Sequence, residues 1–97
     1  MKAPTIVFNE TDHKHRLDAL ELELGADWER KYRPGSSGCH ELLDRTMLAA
    51  EFVERHVHDH PACSLNPEWF ALAEEAVTVL QRLYQQVGEA HMDAEES

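Results

Sequence analysis

Two apolar stripes at helical spacing, each closed off by its own start and stop signals, constrain this chain more than anything else in it. The first runs through Leu42, Leu43, Thr46, Met47, Ala50, Val53 and Val57 in steps of three and four, the repeat of one helix face. Ser36 and Ser37 precede it as capping hydroxyls, Glu41 suits the first turn, and Pro61 stops it. The second runs through Trp69, Leu72, Ala73, Ala76, Val77, Leu80, Leu83, Tyr84 and Val87. Asn66 is its cap, Pro67 fits the first helical position, and Gly88 is placed to close it. The spacing predicts an all-α protein with a long antiparallel helical hairpin, its arms spanning about Gly38 to His60 and Asn66 to Val87, joined by "PACSLN". At about 1.5 Å per residue the arms match at roughly 33 Å.

Both stripes are wider than a two-helix seam buries. A further layer must cover them, supplied by the N-terminal segment, by another subunit, or by both. "TDHKHRLDALELELG" reads as a short N-terminal helix with Thr11 as its cap, Leu17, Leu20 and Leu24 along one side, and Gly25 at its end. "PTIVF" before it reads as a short strand or an extended arm, and the acidic tail 92–97 as loose. The whole, residues 1–97, is one domain: 1–35 an arm with a short helix, 36–91 the hairpin, 92–97 the tail. A domain this small gains from subunits, metals or disulfides, so a helical homo-oligomer is expected.

Net charge sets the chemistry. With 19 acidic against 9 basic residues, the formal charge is -10, which argues against polymeric nucleic acid and anionic membrane as partners. No apolar run approaches a membrane span, and the N-terminus lacks the apolar centre of a signal peptide. A cytoplasmic protein is expected, with Cys39 and Cys63 reduced.

Against this acidic background, Arg30, Lys31 and Arg33 crowd into four positions just ahead of the first long helix. A helix start offers unpaired N–H groups and partial positive charge to an anion. Arginine gives a phosphate two parallel donors, Ser36 and Ser37 add hydroxyls, and Gly35 and Gly38 allow close approach. Tyr32 and Trp28 are suited to stacking on a base. The competing interpretation pairs these cations with Glu29, Glu41 or Asp44 on an ordinary surface.

The stretch from Cys39 to His91 carries Cys-His-Glu at 39–41, Asp44-Arg45, His60-Pro61 and Leu83-Tyr84-Gln85 ahead of Val87-Gly88. In these features it resembles the hairpin domain of the phage sponge proteins that blunt CBASS and Thoeris immunity. The resemblance implies a homo-oligomer, hexameric in that family, that sequesters cyclic di- or trinucleotides without cleaving them and needs no cofactor. It implies action in the cytoplasm of a bacterial host. It places Arg33 on phosphate with Ser36 or Ser37 as hydroxyl donor, and leaves the stacking aromatic open among Tyr32, Trp28 and Phe8. Lys31 and Gly38 complete the expected ligand set. Some members of that family hold cyclic trinucleotides at a second, symmetry-related site, for which Arg82, the only cation of the second arm, is the candidate.

Two other chemistries compete. "HVHDHPAC" brings His56, His58, His60 and Cys63 together, with His56 and His60 one helical turn apart and Asp59 and Cys63 placed to complete a zinc-like set. It lacks the paired spacing of a zinc motif. Cys39 beside His40 suggests a nucleophile, but neighbours on a helix diverge by about 100°, which favours Cys39 as a small packed residue. Glu51, Glu54, Glu74 and Glu75 do not share one face and read as a solvated surface rather than a magnesium site. A helical interaction module that takes no small ligand explains everything except the clustered cations.

Overall fold

The computed structural model describes residues 7–96, and all of their regular structure is helical: α1 (Glu10–Leu24), a 3₁₀ turn (Trp28–Lys31), α2 (Ser37–Val53), a π turn (Glu54–His58), α3 (Pro61–Leu65) and α4 (Pro67–Glu96). No described helix is long and apolar enough to cross a membrane. Of the residues read as a strand or arm, only Val7 and Phe8 fall among those described; both are non-helical and exposed.

α2 and α4 pack along one another in opposite directions. Leu43, near the start of α2, reaches Gly88; His58, just past the end of α2, meets Phe70 and Glu74 near the start of α4. The core between them is thin. Among the described residues only Cys39, Ala73 and Val77 are buried apolar ones, with Thr46 and His91 as buried polar ones. Thr46 satisfies its hydroxyl on the Leu42 carbonyl at 2.8 Å, which lets a polar side chain sit inside.

Several expected boundaries move, each for a local reason. Asn9 rather than Thr11 caps α1, its carboxamide oxygen accepting from Asp12 N–H at 3.0 Å. Ser36 caps α2, accepting from Cys39 N–H at 3.1 Å, while Ser37 is the first helical residue. α2 does not run to His60. After Val53 the chain widens into the π turn, closed by Asp59 N–H on the Glu54 carbonyl at 3.0 Å. His60 then adopts an extended backbone, as a residue before proline favours. "PACSL", expected as loop, forms α3, capped by His60 Nδ1 accepting from Ala62 N–H at 3.0 Å.

The arms are therefore unequal: α2 has 17 residues and α4 has 30, roughly 26 and 45 Å. Gly88 does not end α4. A side chain there would meet only Leu43 at an ordinary 3.6 Å, and the helix continues because His91, two turns beyond Tyr84, is still drawn into the interior. The tail expected to be loose is helical through Glu96. α1 buries none of its residues, and its backbone packs only against the 3₁₀ turn.

The result is open in shape. Its radius of gyration is 16.5 Å, against about 12.5 Å for a compact domain of this length.

Candidate functional site

Gly25 at φ 96° ends α1, and the chain turns through the 3₁₀ segment to Tyr32. Ser36 N–H then bonds the Arg33 carbonyl at 3.0 Å across Pro34 and Gly35, with Gly35 at φ 90°. Proline second and a left-handed glycine third make this a type II turn. Gly35 N–H donates to His91 Nδ1 at 2.9 Å, and His91 Nε2 lies 3.1 Å from Glu95. Since Nδ1 accepts, Nε2 carries the proton and donates to the carboxylate. One buried imidazole thus pins the turn ahead of α2 to the far end of α4.

A groove of about 500 Å³ lies between α1, the 3₁₀ turn and the start of α2, walled by Leu20, Leu24, Trp28, Tyr32, Gly38 and Leu42, with Arg16 and Arg45 at its edge. Each arginine faces a carboxylate, Arg16 with Glu23 at 3.7 Å and Arg45 with Glu41 at 3.4 Å. The Trp28 and Tyr32 rings are 6.5 Å apart and tilted by 47°, so a planar ligand stacks on one of them at a time rather than between them.

Three of the sequence-predicted ligand residues, Trp28, Tyr32 and Gly38, therefore share one groove. Lys31 lines a smaller neighbouring cavity of about 150 Å³ behind Trp28 and Tyr32. Arg33, Ser36 and Ser37 line neither. Gly38 has a different reason for being glycine than the one expected: a Cβ there would overlap the Lys31 carbonyl oxygen and press on the Tyr32 ring. The room it leaves is filled by this chain. Ser36 spends its hydroxyl on its own helix cap.

In comparison with known proteins, the chain matches no family model, no curated protein and no solved structure. The resemblance of residues 39–91 rests on the motif residues themselves.

Two of the three carboxylates expected to neutralise the cation cluster are engaged elsewhere, while Glu29 lies on the 3₁₀ segment itself without an ion pair among the described residues. Glu41 pairs with Arg45, and Asp44 pairs with His40 at 3.5 Å. Arg30, Lys31 and Arg33 form no ion pair among the described residues. Arg16, Arg45 and His91 were not singled out by the sequence; the 41/45 spacing of opposite charges and the 84/91 spacing were the signals available for two of them.

The histidine-rich stretch does not assemble a metal site. Among the described residues no three His, Cys, Asp or Glu side chains are grouped so as to hold an ion. The π turn and the extended His60 remove the helical spacing that put His56 and His60 on one face. His56 instead lies 4.8 Å from the Phe52 ring, and Cys63 stays a free, partly exposed thiol. Cys39 is buried.

The same π turn does deliver His58, whose ring lies 4.5 Å from Phe70. Its Nδ1 is 2.9 Å from Asp59, and its Nε2 is 3.6 Å from Glu74, an ion-pair distance too long for a hydrogen bond. Glu54 lines the same small cavity. The hydrogen bond to Asp59, helped by Glu74, raises the His58 pKa above the usual 6.5 against the opposing effect of partial burial. A raised folded-state value means the stabilisation is fully present below 6.5 and is lost as pH rises through the folded value. We expect the melting temperature of His58→Gln to fall furthest below that of the native chain near pH 6 and the gap to narrow by pH 9. A gap that is constant with pH would show that His58 contributes only packing on Phe70.

Proposed function

We propose that this chain is a non-enzymatic sponge for cyclic oligonucleotide second messengers, built on a self-associating hairpin of α2 and α4 and acting in the cytoplasm of a bacterial host. A bound messenger no longer reaches the immune effector it would switch on. The observation that carries the reading is the unpaired state of Arg30, Lys31 and Arg33. An acidic chain leaves three cations without a carboxylate on the segment whose aromatic rings wall a groove at a helix start. Phosphates supply the missing charge, and a base supplies the planar face for Trp28 or Tyr32, a contact of about 1 to 3 kcal/mol. Because Arg33 lies outside the groove, it meets phosphate at the rim while the base enters beside Tyr32.

A second reading, a helical interaction module that takes no nucleotide, is favoured by the large apolar side chains left exposed, among them Leu65 at 86% and Leu72 at 63%.

Calorimetric titration with cyclic di- and trinucleotides, linear dinucleotides and ATP separates the two. The sponge binds intact cyclic ligands, returns them unchanged, and loses about tenfold or more in affinity on Arg33→Glu. No heat from any ligand, or full affinity in Arg33→Glu, sinks the reading.

A further inference from the structure

α4 carries a second apolar stripe that the α2 contact does not use. Trp69, Leu72, Ala76, Val79, Leu83 and Ala90 follow one another at heptad spacing, with only Gln86 breaking the series. That alternation of three and four is the seam of a helix pair. At 100° per residue the stripe lies about 100° round the helix from the buried line of Ala73, Val77 and His91. Trp69 is 57% exposed, Leu72 63% and Leu83 44%. Because α2 and α4 are antiparallel, Ala49 and Phe52 of α2 fall on this same side of the two-helix layer. The opposite side is a groove in which Met47, Ala50 and Tyr84 lie among Glu51, Glu54, Gln81 and Gln85.

We infer that this face is the docking surface for a second copy of the chain, with α4 packed antiparallel on its symmetry mate. Two observations select that occupant. The first is area. The chain exposes 7785 Å², where a compact monomer of 11.1 kDa exposes about 5,700 Å². The surplus exceeds the roughly 800 Å² per partner that a stable association buries. The second is charge. The positions flanking the seam on its outer side are Glu68, Glu75, Arg82 and Glu89, and Arg82 makes no ion pair among the described residues. When two such helices run antiparallel with Leu72 opposite Leu83 of the copy, Glu75 comes beside Arg82 of the copy, and the two-fold axis repeats the pair. The centre of the seam is self-complementary although the chain as a whole is strongly acidic, while the same register sets Glu68 beside Glu89 of the copy at each end.

The inference rests on the self-association in the proposed function and locates it. Sedimentation of the native chain, of Leu72→Glu and Leu83→Glu, and of Met47→Glu on the opposite side of the layer tests it, with circular dichroism confirming that each remains helical. We expect the native chain and Met47→Glu to associate, and each seam substitution to weaken association about thirtyfold or more. Arg82→Glu should weaken it too, and Glu75→Arg with Arg82→Glu should restore it. A native chain that is monomeric at all concentrations overturns both this surface and the self-association. Seam variants that associate like the native chain overturn the surface alone, and a charge swap without rescue overturns the antiparallel pairing.

Discussion

Replacing Gly38 with alanine is expected to destabilise the fold by about 2 kcal/mol, lowering the melting temperature by roughly 10 °C for a chain of this size. The direction is opposite to the usual one, since alanine inside a helix normally gains about 1 kcal/mol over glycine. Here the new methyl has nowhere to go. Its nearest neighbour is the Lys31 carbonyl oxygen, a backbone atom, with the Tyr32 ring next at 2.5 and 3.0 Å. A flexible side-chain tip would swing aside; a carbonyl held in a 3₁₀ turn moves only with its turn. The segment Trp28–Lys31 must lift off α2, and with it the rings that wall the groove. Gly25→Ala is the control: its φ of 96° and ψ of 168° lie in a region that is essentially glycine's alone, but nothing lies within 4 Å of the added methyl, so the cost is backbone strain only, about 1 to 3 kcal/mol. Both variants should melt below the native chain, and the change in Trp28 fluorescence should be larger in Gly38→Ala. A Gly38→Ala variant as stable as the native chain would mean the 3₁₀ turn is not seated on α2.

That result bears on what the sequence could reveal. The helical class and the starts of α2 and α4 were legible because capping and periodicity are local: Ser36 and Asn66 do what their positions predict, Asn66 accepting from Glu68 and Trp69 N–H at 3.0 and 3.2 Å. What failed was every inference that extended a local rule past a long-range contact. Gly88 looked like a stop, but stopping there would have left His91 outside. His56 and His60 looked like one face because a continuous α-helix was assumed, and a single π turn erased the register. Gly38 looked like room for a ligand, and a segment six residues upstream occupies it. The groove itself was half legible. Trp28, Tyr32 and Gly38 were placed in it by chemistry, while Arg16 and Arg45 arrive from helices whose relative placement no spacing encodes.

His91 is the residue whose loss should cost most. It is 4% exposed, the most buried polar side chain among the described residues, and it joins three parts of the chain. Its Nδ1 takes the Gly35 N–H, its Nε2–H reaches Glu95, and its ring lies 5.7 Å from that of His40 on α2. Truncation to alanine removes a ring's worth of packing and strands a partly buried backbone donor, which together come to about 3 kcal/mol. The position cannot be refilled by a rearranged turn, because Gly35 is already close: a Cβ on it would come within 3.1 Å of the Ala94 side chain. With the anchor gone, the last two turns of α4 lose the buried side chain that ties them to the turn ahead of α2, and a helix end so loosened frays. His91→Ala should therefore show a lower denaturant midpoint together with fast amide exchange at Gly35 and over residues 89–95. His91→Gln, whose side-chain oxygen can still accept from Gly35, should recover part of the protection. Loss of protection confined to 89–95 with an unchanged midpoint would show that the imidazole fastens only the helix end, and that the turn carrying Arg33 is held by Pro34, Gly35 and the Ser36 cap without it.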